Sequence, residues 1–327
     1  MKIAFITDGN NTLGMGHVYQ AITLVSFLKE AESSLQIFFL TKSDTHVIDL
    51  LKKSGCGVTY CKDDEAIFEI LKKESPDRVI FDKLDVAPSL AQKIKEELKV
   101  KLVILTNLTD ANKYADVTVM AGMGSNFQNI YSKDKTTGQV QFWGPKYWLL
   151  RSEFYEYTKT TNREQPVKNI MLIFGGADQA NLSTHVTDAL FKSGEVYNIT
   201  IVLGSAFENY DELNNVLENN KQSETKVNIL KGLTEVAKTM SVQDVIFASP
   251  GLSFFEALLV GVPVLCFHQN EFQYNAWKGH IPTLDKNELE KLPSIMKNKS
   301  FIYPQDELIT SMEVGKGKNE IVTEILN

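Results

Sequence analysis

Cysteine is scarce in this chain. Only Cys56, Cys61 and Cys266 occur, an odd number with no framework spacing. A disulfide-stapled fold is thereby excluded, and reduced thiols in a cytoplasmic protein are the expectation. Cys56 and Cys61 are too far apart for a Cys-x-x-Cys redox pair, and Cys266 lies in an apolar run and reads as a core thiol. An excess of positive charge is also lacking. Lys and Arg number 34 against 41 Asp and Glu, a net charge of −7. That argues against a nucleic-acid partner bound by bulk electrostatics. No stretch approaches the roughly 20 apolar residues that span a bilayer, so no membrane span is expected. The first apolar run is preceded only by Lys2 and is interrupted by Thr7 and Asp8, with no small-residue cleavage site after it. It does not read as a signal peptide.

What is present is ordinary globular composition at a length that exceeds one typical core. The chain has 327 residues, 43% hydrophobic and 23% charged. Two domains are the natural expectation. Strand candidates in the first half are residues 2–7, 35–41, 58–60, 78–81, 101–105 and 117–120. Amphipathic stretches at 18–29, 47–53, 66–73 and 89–98 alternate with them. That alternation indicates βαβ units and a parallel sheet. Residues 155–167 are polar, end in Gln165-Pro166, and read as a linker. A second alternating series follows at 170–174, 199–203, 227–230, 245–248 and 262–267, with a helix candidate at 307–326 weakened by Gly315 and Gly317. The expectation is an α/β protein of two Rossmann-like βαβ domains facing a cleft. They comprise residues 1–154 and 168–327, with the last helix able to pack back on the first.

His17 stands in Gly14-Met15-Gly16-His17, between the first strand and the first helix. Open α/β sheets bind ligands at that edge. Glycine permits close approach of a ligand to the backbone, free helix N–H groups hold anions, and an imidazole there can move a proton near neutral pH. A histidine that only caps the helix is the competing reading. In the second half, Gly175-Gly176-Ala177-Asp178 follows a strand, and Asn181, Ser183 and Thr184 open a helix. Such a turn suits a phosphate or a sugar hydroxyl. Ala248-Ser249-Pro250-Gly251 then leads into a helix beginning near Leu252 and Ser253, a diphosphate cradle by the same reasoning. Glu256, read on that helix's first turn, can accept two hydrogen bonds from ribose hydroxyls or merely complement the macrodipole. His268-Gln269-Asn270 closes the next strand and places further polar residues at the same edge, His268 with less weight than His17. The stretch Gly144 to Phe154 is aromatic and apolar, suggests packing between domains, and carries no chemistry by composition.

These stretches together resemble a known family. The Gly-x-Gly-His turn, the Gly-Pro-x-Tyr-x-x-Leu-Arg-x-Glu-Phe segment at 144–154, the Gly-Gly-x-Asp-x-x-Asn-x-Ser loop at 175–183 and the Glu-Ala-Leu of 256–258 recur in it in this order. The chain is similar to the UDP-2,4-diacetamido-2,4,6-trideoxy-β-L-altropyranose hydrolases of pseudaminic acid biosynthesis and related spore-coat polysaccharide proteins, over most of residues 1–280. The resemblance implies the two-domain GT-B fold shared with the glycosyltransferases that make lipid II. It implies UDP on the C-terminal domain, with Glu256 as the ribose ligand, and His17 acting on the attacking water, with no metal and no cofactor. Taken with the reading of the residues themselves, the expected contacts are Gly14, Gly16, Gly175, Gly176, Asp178, Asn181, Gly251, Leu252, Ser253, Glu256 and Asn270, with His17 catalytic and Asp8, at the end of the first strand, expected to orient the imidazole or bind a sugar hydroxyl. The family's Arg-x-Asp at the end of the first strand is Ile6-Thr7-Asp8 here. Its arginine three residues after the histidine is Gln20, its paired aspartates after the fifth strand are Asn107-Leu108, and the asparagine before its C-terminal carboxylate is Phe255.

Three functions follow as expectations. A nucleotide-sugar hydrolase would use His17 to deprotonate water and release UDP. A glycosyltransferase would substitute an acceptor hydroxyl, with peripheral membrane contact if the acceptor is a lipid. A binder without activity would keep only the nucleotide site. Lys42, Lys52 and Lys53 are scattered and form no clear basic patch for a lipid acceptor.

Overall fold

The computed structural model describes residues 1–9, 15–121, 128–160, 162–204, 206–233 and 235–327. The chain divides into two compact units, Met1–Arg151 with Met312–Asn327, and Ser152–Ser311.

The first unit holds strands β1 (Lys2–Thr7), β2 (Gln36–Thr41), β3 (Gly57–Tyr60), β4 (Arg78–Asp82), β5 (Lys101–Leu105), β6 (Val117–Met120), β7 (Ile130–Lys133) and β8 (Val140–Trp143). Helices α1 (Gly16–Ala31), α2 (Thr45–Lys52), α3 (Asp64–Glu74) and α4 (Pro88–Lys93) connect its early strands. The sheet order is β3-β2-β1-β4-β5-β6-β8-β7, parallel except for the β7–β8 pair. Ile3, Ala4, Phe5 and Ile6 are fully buried, as expected of a central parallel strand covered on both faces. The chain runs outward from β1 to β3, then returns to β4 on the other side of β1, so the order reverses between β1 and β4. The α2 and α3 helices start two residues earlier than their apolar periodicity indicates. Asp44 accepts from the His46 and Val47 amides and Asp63 from that of Ala66, and these caps extend each helix.

The second unit holds β9 (Asn169–Ile173), β10 (Asn198–Leu203), β11 (Lys226–Lys231), β12 (Val245–Ala248) and β13 (Val264–Cys266). Its helices are α5 (Leu182–Lys192), α6 (Tyr210–Asn219), α7 (Val236–Ser241), α8 (Leu252–Val260), α9 (Glu271–Trp277), α10 (Leu292–Asn298) and α11 (Glu307–Met312), the last ending at the boundary. The order β11-β10-β9-β12-β13 repeats the same reversal, here between β9 and β12, and every pair is parallel. Its core is built on Ile170, Leu172, Phe174, Phe247 and Phe267, with Leu182, Val186 and Leu190 of α5 packed against them.

The stretch expected as a linker is laid down on the second unit. The Lys159 amide donates to Val260 O at 2.7 Å, and the Lys159 side chain reaches Gln243 O and Asp244. Gly261, at φ 94°, must be glycine because a Cβ there would overlap the Lys159 carbonyl oxygen. The helix expected over 307–326 is interrupted, with Gly315 at φ 70°, and resumes as α12 (Lys318–Leu326) in the first unit. There Ile321 and Ile325 are buried, and Lys146 pairs with Glu320 at 2.5 Å. The Tyr147 hydroxyl donates to Glu320, and burial together with that carboxylate pushes its pKa to about 12. No described helix is long and apolar enough to cross a membrane.

Candidate functional site

At the carboxyl edge of the first sheet, the reversal between β1 and β4 brings together side chains that are 65 or more residues apart. Thr7 and Asp82 are register partners, the last residues of their strands. His17, on the first turn of α1, hydrogen-bonds through Nδ1 to Asp82 Oδ1 at 2.8 Å, with side-chain exposures of 14% and 1%. Burial pulls the His17 pKa down, but the hydrogen bond and charge of Asp82 outweigh it and hold the imidazole above its ordinary value. Burial pushes the Asp82 carboxyl above the usual carboxylate range against the opposing pull of His17. With Nδ1–H donated to the carboxylate, Nε2 is the nitrogen left to take a proton.

Beside this pair lies a second one. Lys83 Nζ is 2.8 Å from Asp8 Oδ2 and 3.3 Å from Asp85 Oδ1. Asp8 Oδ1 accepts from the Lys42 amide at 2.7 Å and the Thr41 hydroxyl at 3.1 Å. Burial raises the Asp8 pKa, and the charge and hydrogen bond of Lys83 reverse that to a net lowering. Asp8 was expected to orient the imidazole or bind a sugar hydroxyl. Instead, both of its oxygens are engaged with Lys83, Thr41 and Lys42, and the carboxylate on the imidazole is Asp82. Gln20, which stands where the family has arginine, is buried and donates to Thr106 Oγ1 at 3.1 Å. Thr106 holds φ 57°, an uncommon conformation for a β-branched residue. Asn107 is consumed by its own loop. Its Oδ1 accepts from the Val86 amide, and its Nδ2 donates to Thr109 and Asn112. Gly14 lies outside the described residues. Gly16 opens α1, and a Cβ there would meet no described atom within 4 Å.

The second sheet presents two helix N-termini at its own reversal, and they differ. The α5 terminus is filled by the protein. Asp178 is buried and its carboxylate accepts from the Leu182 and Ser183 amides, each at 2.8 Å. Asn181 accepts from Thr184 Oγ1 at 2.6 Å and donates to Glu212 Oε2 at 2.8 Å. Asp178 and Asn181, expected as ligand contacts, therefore cap and brace α5. Asn270 likewise caps α9, accepting from the Gln273 amide at 2.9 Å. The α8 terminus is different. Gly251 offers no side-chain cap, and no acidic residue lies in the first turn. Leu252 and Ser253 begin the helix, so their amide N–H groups precede any intrahelical partner. Glu256 is the fifth residue of α8 rather than on its first turn, and is 3% exposed. Additional Cβ atoms on Gly175, Gly176 or Gly251 would meet no described atom within 4 Å, which leaves room for a ligand against the described backbone. Gly204 has no such room, since a Cβ there would overlap the Gly176 carbonyl. The glycine turn after β9 is held by this close approach. No described group of three His, Cys, Asp or Glu residues could hold a metal ion.

Sequence reasoning missed Asp82 and Lys83. Their signal was a polar Asp-Lys pair closing the apolar strand Arg78–Phe81, but its meaning depends on β4 lying beside β1.

No family model matches the chain. An uncharacterized protein of Methanocaldococcus jannaschii is 38% identical over 331 residues, covering 100% of this chain and 66% of that protein. The chain thus spans just under two thirds of that relative's length. The spore coat polysaccharide biosynthesis protein SpsG of Bacillus subtilis is 25% identical over 84% of this chain and 79% of its own length. The UDP-2,4-diacetamido-2,4,6-trideoxy-beta-L-altropyranose hydrolase of Campylobacter jejuni is 24% identical over 85% of this chain and 96% of its own. Among solved structures, MurG of Acinetobacter baumannii superposes with a TM-score of 0.66 at 16% identity, covering 100% of this chain and 99% of that one. The UDP-GlcNAc 2-epimerase of Neisseria meningitidis, bound to UDP-GlcNAc, gives 0.61 at 8% identity over 100% and 99%. The fold is GT-B. At these identities the solved structures speak for the fold alone.

Proposed function

We propose that the chain is a nucleotide-sugar hydrolase, in which the second unit takes UDP and the first supplies the base that activates water. The observation that carries this reading is the 2.8 Å bond between His17 Nδ1 and the buried carboxylate of Asp82. A carboxylate on Nδ1 fixes the tautomer and leaves Nε2 basic, which is what proton abstraction from water requires. Water then attacks the anomeric carbon, the bond to the UDP oxygen breaks, and the diphosphate leaves with its charge received by backbone N–H groups. The uncapped N-terminus of α8 and the open glycines 175, 176 and 251 are the groups suited to receive it. Glu256, near the start of the same helix, is the proposed ribose ligand. The name of the Campylobacter relative supports hydrolysis of a UDP-linked deoxyamino sugar, and that of the Bacillus relative supports a role in polysaccharide synthesis.

A glycosyltransferase is the second reading. The same base would serve an acceptor hydroxyl. Turnover in ¹⁸O-water separates the two. Hydrolysis puts the label on the anomeric oxygen of the free sugar while UDP stays unlabelled. A strict requirement for an added acceptor, with no labelled free sugar, would establish transfer instead.

A further inference from the structure

Gln269 belongs to the loop after β13, two strands away from the glycine turn after β9, and yet it binds to that turn's entrance. Its Nε2 donates to the Phe174 carbonyl at 2.7 Å and to Ser249 Oγ at 2.9 Å, and its backbone N–H donates to Gln273 Oε1 at 2.8 Å. Phe174 immediately precedes Gly175, which turns at φ 85°. Ser249 immediately precedes Pro250-Gly251 and the uncapped start of α8. One amide group therefore bonds to both shoulders of the crevice between β9 and β12, where the strand order reverses. On the far side, the same glycine turn is held from β10 by the Ala206 amide, which donates to Gly176 O at 3.0 Å.

We infer that Gln269 is a positioning residue that sets the spacing between the glycine turn of β9 and the N-terminus of α8, and so tunes the grip on a diphosphate without touching it. This rests on the reading that the second unit holds the nucleotide. Donor groups act on an anion only when they converge on it, and a shift of some tenths of an ångström in one wall weakens every bond from that wall. The base and ribose do not depend on that spacing in the same way. The effect of Gln269 is thus specific to the phosphates.

The test is calorimetry with UDP and with uridine on three proteins: the unmodified chain, Gln269→Met and Ser249→Ala. Methionine keeps the approximate length and volume of glutamine and removes both the donor and Oε1, which accepts from the Ala180 amide at 3.5 Å. Gln269→Met loses both donated bonds and is expected to raise the UDP Kd about tenfold or more, and to leave the uridine Kd within about twofold. Ser249→Ala, which loses one of the two bonds, should raise the UDP Kd by a smaller factor, again with uridine unchanged. An unchanged UDP Kd in Gln269→Met, or equal losses for UDP and uridine, overturns the inference. If the unmodified chain itself fails to bind UDP, the reading of the second unit fails, and this inference with it.

Discussion

Burying a carboxylate costs several kcal/mol unless a charged or polar group answers it. Asp82 is answered by His17, and the bond works in both directions. It satisfies one buried oxygen and makes His17 a stronger base than burial alone would allow. The sign of the pH dependence follows. A base with a raised pKa is protonated and idle below that value, so activity should rise with pH through a midpoint above the ordinary histidine range. Asp82→Asn removes the charge of Asp82, the partner that outweighs burial, and leaves burial and the Lys83 charge lowering the value against the weaker opposing charge of Asp85. Its acid limb should move to lower pH even as kcat/KM falls by about 10² or more. A pH profile of kcat/KM for both proteins checks this.

Asp8 makes a different case. Its carboxylate serves Lys83, Lys42 and Thr41, so its replacement should act mainly on stability. Asp8→Asn leaves a mostly buried ammonium with only the exposed Asp85 beside it, and should cost on the order of 3 kcal/mol in urea denaturation at neutral pH. Because the Asp8 pKa is lowered in the folded chain, its contribution is fully present above the ordinary carboxylate range. It is lost as pH falls through the lowered value, so the difference between the two proteins should shrink in acid.

At the scale of elements, helix starts explain most of what the sequence did and did not disclose. Strands were legible because β1, β4, β5 and β9 are continuous apolar runs, and the glycine turns after β1 and β9 stood out beside them. Asp178, Asn181 and Asn270 carry a second role, because the residue types that bind phosphate-adjacent hydroxyls are also the types that cap helices. Only the structure shows that their oxygens are spent on α5 and α9. The pairing of His17 with Asp82 was illegible for another reason. It joins the start of α1 to the end of β4, which meet because β1 and β4 are neighbours in the sheet and remote in the chain. The β7–β8 hairpin went unread because β7 is exposed along its whole length and carries no buried pattern. The contrast between the two helix starts is testable. Asp178→Ala removes the cap of α5 and should destabilise the fold by about 1–2 kcal/mol while leaving UDP affinity within about twofold. Thermal unfolding and calorimetry on the same preparation measure both quantities.

For the whole molecule, one arrangement occurs twice. Each unit reverses its strand order beside its first strand, and each carries its polar residues at the carboxyl ends of the strands around that point. The two edges differ in chemistry. The first has a histidine–carboxylate pair and a buried lysine bridged by carboxylates. The second has open glycines and an uncapped helix. An acid–base edge and an anion-binding edge are the two functions that cleavage of a nucleotide sugar requires. The most direct measurement is the release of UDP from a panel of UDP-sugars by the unmodified chain and by His17→Ala, with UDP affinity measured alongside. His17→Ala is expected to bind UDP with nearly unchanged affinity and to lose about 10²–10⁴ in turnover. Full turnover by His17→Ala on a confirmed substrate would contradict it.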